Sequence, residues 1–154
     1  MKISKKGEYA LRALACMGAP GAPDVLSIQE IARRGRIPKK FLEQVLLALK
    51  RVGLVQSTRG KAGGYTLSGD PQTISLQTVV WAVDGPLVPL PCVADANPAK
   101  CADCASLEYC WLRSIMLEVG EAIAAAFARV SVAEMCQRAE ASRRHESHVP
   151  MYDI

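Results

Sequence analysis

The amino-acid sequence predicts a mainly α-helical fold with one small β-hairpin. Apolar residues recur every three or four positions over most of the 154 residues, which is the helical period. Glycine and proline divide these runs into separate helices. Two short stretches, 54–57 and 65–67, instead have the composition of strands and flank a glycine-rich turn.

Three short helices are predicted before the hairpin, the first over residues 4–17. The second starts at a capping box, Ser27–Glu30, in which the serine hydroxyl accepts a backbone hydrogen bond and the glutamate binds the cap amide in return. It ends at Gly35. Pro38 fits the first turn of the third helix, since its missing N–H needs no partner there, and Gly53 ends that helix. Two short helices joined by a tight turn indicate a helix-turn-helix.

The third helix and the hairpin together predict a winged helix-turn-helix over residues 1–70. The hairpin forms the small β-wing, and its flexible tip, residues 58–64, carries Arg59 and Lys61. In this fold one helix enters the major groove of DNA while the wing reaches phosphates or the minor groove. The outward face of the third helix is polar and mostly basic, and it consists of Lys39, Lys40, Glu43, Gln44, Leu47 and Arg51.

Charge is distributed unevenly along the chain, whose formal net charge is +4. Residues 1–65 contain thirteen Lys/Arg and four Asp/Glu, whereas the remainder contains six and eleven. Uneven solvation of two faces would produce such a pattern. A basic half joined to an acidic half also indicates that the N-terminal part meets a polyanion.

The C-terminal part is predicted to contain a connecting helix in 71–86, a proline- and cysteine-rich loop in 87–105, and a long helix from Ser106. This helix and a short final helix occupy 106–142, and a polar tail follows in 143–154. A fold this small cannot bury the apolar stripe of the long helix without a partner helix, so we expect it to be a dimerisation helix. The stripe comprises Leu112, Ile115, Met116, Val119, Ile123, Ala126, Phe127 and Val130.

Four of the six cysteines fall within nineteen residues, at Cys92, Cys101, Cys104 and Cys110. Four thiolates on an irregular loop can converge on an iron–sulfur cluster or on one zinc ion. They can also act as redox-active thiols. The remaining two, Cys16 and Cys136, lie in helical segments and are expected to be buried small apolar residues.

Enzymatic and membrane functions find little support in the sequence. The two histidines lie in the polar tail, and no phosphate-binding glycine motif or paired carboxylates are present. Cys101 and Cys104 have CxxC spacing but lack the strand-to-helix setting of a thiol oxidoreductase. Glu8 and Arg12 interrupt the apolar run near the N-terminus, and Asp84 interrupts the next one. We therefore expect a cytoplasmic protein that is not an enzyme.

These features together resemble the Rrf2 family of bacterial transcription regulators. This family includes the iron–sulfur cluster assembly regulator and the nitric-oxide-sensing repressor. The matching stretches span nearly the whole chain and are MKISKKGEYALRAL at 1–14, IQEIA at 28–32, IPKKFLEQVL at 37–46, LVQSTRGKAGGY at 54–65 and CWLR at 110–113.

The resemblance implies a homodimer with crossing long helices that binds double-stranded DNA at a palindromic operator. It implies that Glu43 and Gln44 contact base edges and that Arg59 enters the minor groove. These residue types suit such contacts, because glutamine pairs with adenine, a carboxylate accepts from cytosine, and arginine favours a narrow minor groove. Lys39, Lys40 and Lys61 are expected to contact phosphates.

The resemblance also implies an iron–sulfur cluster, [2Fe-2S] or [4Fe-4S], held by Cys92, Cys104 and Cys110. Relatives complete the ligand set with a histidine after the third cysteine or with an acidic residue of the first helix from the other subunit. Here Arg113 stands at the histidine position, so the fourth ligand is either Cys101 or Glu8. A regulator without a cluster remains the alternative, as a thiol redox switch, a zinc-stabilised protein or a partner-controlled one.

Overall fold

The computed structural model describes residues 2–60, 62–94 and 97–146. These ranges contain six α-helices and a two-stranded sheet, which confirms the predicted mainly α-helical fold with one small hairpin. The helices are α1 (Lys5–Met17), α2 (Ile28–Gly35), α3 (Lys39–Arg51), α4 (Leu76–Asp84), α5 (Trp111–Arg129) and α6 (Val132–Glu146). The strands are β1 (Val55–Thr58) and β2 (Gly64–Leu67), and a short 3-10 turn covers Pro91–Val93.

Among the described residues, no helix is both long and apolar enough to cross a membrane.

Helix α1 lies at the centre of the core and contacts α2, α3, α4 and α6. The predicted cap of α2 is confirmed, because the Ser27 hydroxyl accepts from the Glu30 amide at 3.2 Å. The Ser4 hydroxyl caps α1 in the same way and accepts from the Gly7 amide at 3.0 Å. The core is aliphatic, and its fully buried large side chains include Leu14, Ile31, Leu42, Leu46, Leu49, Val79 and Val132.

The turn between α2 and α3 differs from the prediction in three respects. The Glu30 carboxylate binds Arg33 and Arg34 of its own helix instead of returning to the cap amide. Gly35 is the last residue of α2, and Arg36 adopts the left-handed conformation with a φ of 50°. The Ile37 side chain packs closely over Gly35, since a Cβ there would lie 2.8 Å from the Ile37 Cδ1 atom. Pro38 caps α3 rather than occupying its first turn.

The wing is an antiparallel pair in which Val55 lies opposite Leu67 and Thr58 opposite Gly64. Leu26, just before α2, pairs with Tyr65 through two backbone hydrogen bonds of 2.8 and 2.9 Å. This pairing brings backbone so near β2 that a Cβ on Gly64 would lie 2.3 Å from the Leu26 carbonyl oxygen. The wing is therefore attached to the helix-turn-helix through β2.

Two helix boundaries in the C-terminal half differ from the prediction. Helix α5 begins at Trp111 rather than Ser106, because the Ser106 hydroxyl accepts from the Glu108 amide in a turn that breaks the helical pattern. Helix α6 is not short, since it has 15 residues and continues to Glu146, into the predicted polar tail. The rest of that tail, 147–154, lies outside the described residues.

The predicted apolar stripe of α5 divides into two faces. Met116, Ile123 and Phe127 are half-buried on the side that packs against α4 and the proline-rich segment. Leu112, Ile115 and Val119 are 38%, 46% and 39% exposed, and no residue of α5 is fully buried. We refer to Leu112, Ile115 and Val119 as the exposed face of α5.

Candidate nucleic-acid interface and cysteine site

Helix α3 presents the polar residues that the sequence assigns to its outer face. Leu42, Val45, Leu46 and Leu49 are buried and fix the rotation of the helix against α1. The positions between them are consequently directed away from the core. Every candidate contact residue on this face is exposed, namely Lys39, Lys40, Glu43, Gln44 and Arg51.

The wing tip contributes a second basic element next to α3. Arg59 is exposed, and Gly60 after it has a φ of 120°, a conformation that favours glycine. Lys61 lies outside the described residues. The Lys50 ammonium of α3 donates a hydrogen bond to the Ser57 hydroxyl of β1, which ties the end of the helix to the wing. This role of Lys50 was not predicted from the sequence. The one available signal was its position in the last turn of α3, close in sequence to β1.

The cysteine-rich segment folds against the start of α5. Cys92 is 2% exposed in the 3-10 turn, Cys101 is exposed, and Cys104 and Cys110 are half-buried. The Cys104 amide donates to the Cys101 carbonyl at 3.2 Å, and the Cys104 thiol donates to the Ser106 carbonyl at 3.1 Å. Cys110 immediately precedes α5 as its N-cap.

The four thiols of this segment influence one another. Partial desolvation is the largest cause of the raised pKa of Cys101, and the neighbouring thiols of Cys92 and Cys110 raise this pKa further. Desolvation is also the largest cause of the raised pKa of Cys104, and the neighbouring thiol of Cys110 is the next. Cys101, Cys104 and Cys110 line one open hollow of about 410 Å³. The structure thus gathers all four predicted cysteines in one region.

These thiols do not converge on a single point. Within the described residues, no group of three or more His, Cys, Asp or Glu side chains is close enough to hold one metal ion. A single zinc ion requires four donors at about 2.0–2.3 Å from a common centre. The arrangement is therefore a loose cluster of sulfur donors rather than a formed zinc site.

Cys110 differs from its neighbours because its pKa is lowered. The backbone amide of Arg113 is the largest cause, and the hydrogen bond with Cys104 and the amide of Leu112 act in the same direction. These amides belong to the first turn of α5, where unpaired N–H groups stabilise a negative charge. Among Cys101, Cys104 and Cys110, Cys110 is consequently the thiol that most readily becomes a thiolate.

Arg113 also holds Cys92 in place. Its guanidinium Nε donates to the Cys92 carbonyl at 2.9 Å, which joins the 3-10 turn to α5. Sequence reasoning identified Arg113 only as a departure from the family pattern and missed this contact. Its position three residues after Cys110, on the same side of the helix start, was the available signal.

The other candidate fourth ligand, Glu8, is engaged on its own helix. Its carboxylate forms ion pairs with Lys5 at 2.7 Å and with Arg12. The hydrogen bond from Lys5 is the main reason that the pKa of Glu8 is lowered. Within the described part of a single chain, Glu8 is not among the groups that shift the pKa of Cys101, Cys104 or Cys110.

Comparison with known proteins identifies the family. The profile of Rrf2, described as an iron-dependent transcriptional regulator, matches residues 3–138. The chain belongs to the Rrf2 family. It is therefore a member of a family of transcriptional regulators and not of an enzyme family, as the sequence predicted.

Several Rrf2 proteins are similar to this chain in sequence. An Rrf2-like regulator of Rhodobacter capsulatus is 41% identical over 120 residues, which cover 76% of this chain and 80% of that protein. The regulator CymR of Bacillus subtilis is 34% identical over 65% of this chain and 72% of its own length. The regulator IscR of Vibrio vulnificus is 39% identical over 54% of this chain and 50% of its own length.

Solved structures of Rrf2 proteins share the fold. The structure of CymR, the global cysteine regulator of B. subtilis, matches with a TM-score of 0.71 and 23% identity, and the match covers 90% of this chain and 98% of that one. IscR of T. potens matches with a TM-score of 0.67 and 24% identity, covering 98% and 93%. These matches confirm the predicted winged helix-turn-helix fold.

Alkylation of the metal-free protein tests the electrostatic distinction among the cysteines. We expect the pH midpoint of Cys110 alkylation by iodoacetamide to lie below that of an ordinary thiol, and those of Cys101 and Cys104 above it, because only the thiolate reacts. Peptide mass spectrometry after a pH series measures each site. Cys16 and Cys136, whose pKa values are raised by burial, should react only on unfolding. Equal midpoints for the loop cysteines in the folded protein would contradict this assignment.

Proposed function

We propose that this Rrf2 protein is a homodimer that binds a palindromic operator and whose binding is controlled by an iron–sulfur cluster on the cysteine loop. The observation that carries the proposal is the gathering of four interacting thiols at the start of α5. That site lies on the helix whose exposed face is suited to a second copy of the chain. Helix α5 thereby links the state of the cluster to the geometry of the dimer.

Sequence-specific contacts are assigned to α3 and the wing. Gln44 is placed against adenine and Glu43 against cytosine, since these are the base edges that their side chains match. Arg59 is assigned to the minor groove, where negative potential attracts guanidinium groups. The basic residues Lys39, Lys40, Arg51 and Lys61 are assigned to phosphates, which set affinity and register.

The exposed face of α5 supports the homodimer. Leu112, Ile115 and Val119 form an apolar strip on a 19-residue helix that buries no residue completely. Pairing with the same helix of a second copy would remove this strip from water, and a two-fold arrangement presents the same patch on both subunits. Two winged helices related in this way fit a palindromic DNA site.

The donor set fits an iron–sulfur cluster better than zinc. Thiolates are the usual ligands of such clusters, which supply reversible electron transfer and sensitivity to oxidants. A cluster contains several iron atoms, so its ligands need not meet at one point, and Cys101, Cys104 and Cys110 line one hollow. Cys101 is favoured as the fourth ligand with Cys92, Cys104 and Cys110, because Glu8 is already paired with two cations of α1.

This chain's own residues supply the connection from the site to α5. The amides of the first turn stabilise a thiolate at Cys110, which places negative charge at the N-terminus of the helix. Arg113 fixes the Cys92 turn to the same helix. A change in the charge or spacing of the thiolates therefore acts directly on the position of α5.

A thiol switch is the second candidate function, and one observation favours it. Cys104 and Cys110 line the same hollow and shift each other's pKa, which is raised for Cys104 and lowered for Cys110. A low-pKa thiol beside a second cysteine is the usual arrangement for reversible oxidation to a disulfide. This function would use the same loop without iron.

A first prediction concerns DNA recognition. With a high-affinity fragment selected from a random library, Gln44→Ala should lose about 1–3 kcal/mol of specific binding and relax base preference at one position. Arg51→Gln should weaken binding to all sequences and reduce the slope of log K against log salt by about 1. Gln137→Ala, an exposed glutamine of α6, is the matched control and should bind normally. An unchanged base preference in Gln44→Ala would refute the assigned contact.

A second prediction concerns the dimer. Val119→Glu places a charge in the exposed face of α5 and should halve the mass measured by light scattering, because an unpaired charge is costly in an apolar interface. Glu121→Gln, an exposed change two residues away, should leave the mass unchanged. A wild-type monomer, or a dimer that survives Val119→Glu, would show that this face is not the interface.

A third prediction concerns the cluster. Protein purified without oxygen should show visible sulfur-to-iron absorption with matching iron and sulfide, and Cys104→Ser or Cys110→Ser should lose both. Cys101→Ser should destabilise the cluster more than Glu8→Gln, and Cys16→Ala is the control that should retain it. Stoichiometric zinc in colourless protein would refute the cluster. Metal-free protein with an oxidant-induced Cys104–Cys110 disulfide would establish the thiol switch.

A further inference from the structure

Helices α1, α2 and α6 enclose an open groove of about 270 Å³ whose rim is formed by four arginines. They are Arg12 of α1, Arg34 and Arg36 at the end of α2, and Arg143 of α6. The floor consists of small residues, among them Cys16. We call this feature the arginine groove. None of its lining residues belongs to α3, the wing or the cysteine loop.

Three of the guanidiniums are held by carboxylates but retain free donors. Arg12 pairs with Glu8 through Nη2, and Arg34 pairs with Glu30 through Nε. Glu30 remains ionised, because hydrogen bonds from Arg33 and then Arg34 lower its pKa to about 2. These contacts use one edge of each planar fork, and a guanidinium has five N–H donors. The carboxylates therefore orient the two arginines without saturating them.

The third guanidinium, that of Arg143, is anchored to α6 by similar contacts. Its Nε lies 3.3 Å from the Ala139 carbonyl and 3.8 Å from a Glu140 oxygen. The other side of the fork remains available in the same way. Arg143 and Arg34 also lower the pKa of Cys16 at the floor, although burial of that thiol raises it more. Positive charge from both sides of the groove thus reaches its floor.

Arg36 provides an independent indication that the groove has a function. It is the one non-glycine residue with a positive φ in the described chain, at 50°. This position follows the helix end, where glycine is strongly favoured because a side chain is strained. Strained residues of this kind are concentrated at functional sites. Here the strained conformation places a fourth guanidinium at the rim of the groove.

We propose that the arginine groove binds a small free polyanion carrying phosphate or carboxylate groups. Guanidinium forks match both groups with paired, charge-assisted hydrogen bonds. The volume of the groove suits a small molecule, and its walls join α2 of the helix-turn-helix to the C-terminal helix α6. Bound anion bridges these two elements and so stabilises the folded chain and restrains the helix-turn-helix. This effector site is separate from the proposed cluster site and does not depend on it.

Thermal unfolding and calorimetry with pyrophosphate and citrate test the proposal at constant ionic strength. We expect both anions to raise the Tm saturably and to bind at least tenfold more weakly to Arg143→Gln and Arg36→Gly. The second variant relieves backbone strain, so it should be no less stable than the wild type without anion. Arg129→Gln, an exposed arginine of α5, is the control and should bind as the wild type does. Equal Tm shifts in all four proteins, or none, would overturn the proposal.

DNA is the other source of the same phosphate chemistry, and a second measurement distinguishes it. If the groove serves a free anion, Arg36→Gly and Arg143→Gln should leave the salt slope of DNA binding unchanged. A slope reduced by about 1 in each variant, together with displacement of pyrophosphate by DNA, would assign the groove to the DNA backbone. That result would overturn the proposed effector site.

Discussion

Burial of α1 is the constraint on which both halves of the chain depend. Ala10, Ala13 and Leu14 are fully buried, and the two alanines allow α2, α3, α4 and α6 to approach one helix closely. At its N-terminus, the Ser4 amide donates to the Asp84 carboxylate of α4 at 2.9 Å. Gly7 permits this contact, because a Cβ there would lie 2.4 Å from the same carboxylate. One helix thus supports the helix-turn-helix on one side and the C-terminal helices on the other.

The two functional regions differ in how firmly the chain holds them. The outer face of α3 is fixed by four buried aliphatic residues, so its polar side chains are presented on a rigid support. The wing is fixed in turn by the Leu26–Tyr65 backbone pair and by Lys50. By contrast, α5 and the cysteine segment contribute few buried residues beyond Cys92 and Val93. Regions with few buried contacts are the ones that shift at low energetic cost, which suits a sensing element.

The contacts of α5 form a continuous connection from the cysteine segment to α1 and α3, which the proposed cluster control would use. Arg113 joins the Cys92 turn to α5, and α5 packs against α4. Asp84 at the end of α4 then accepts hydrogen bonds from Ser4, the N-cap of α1, and α1 packs against α3. Each step is a direct contact, so under the proposed function a displacement of α5 would alter the packing that orients α3. Occupation of the arginine groove acts on the same α1 from its α2 and α6 side.

The sequence by itself determined the helix order, the wing and the serine caps, because helical periodicity, glycine and proline act locally. It also determined which residues of α3 are polar and which cysteines lie close together along the chain. The sequence did not predict that Arg36 rather than Gly35 adopts the left-handed conformation, because glycine is the residue that this conformation favours. Likewise, the division of the α5 stripe into two faces and the gathering of four arginines around one groove depend on packing between distant helices. Such contacts leave no periodic signal in a single sequence.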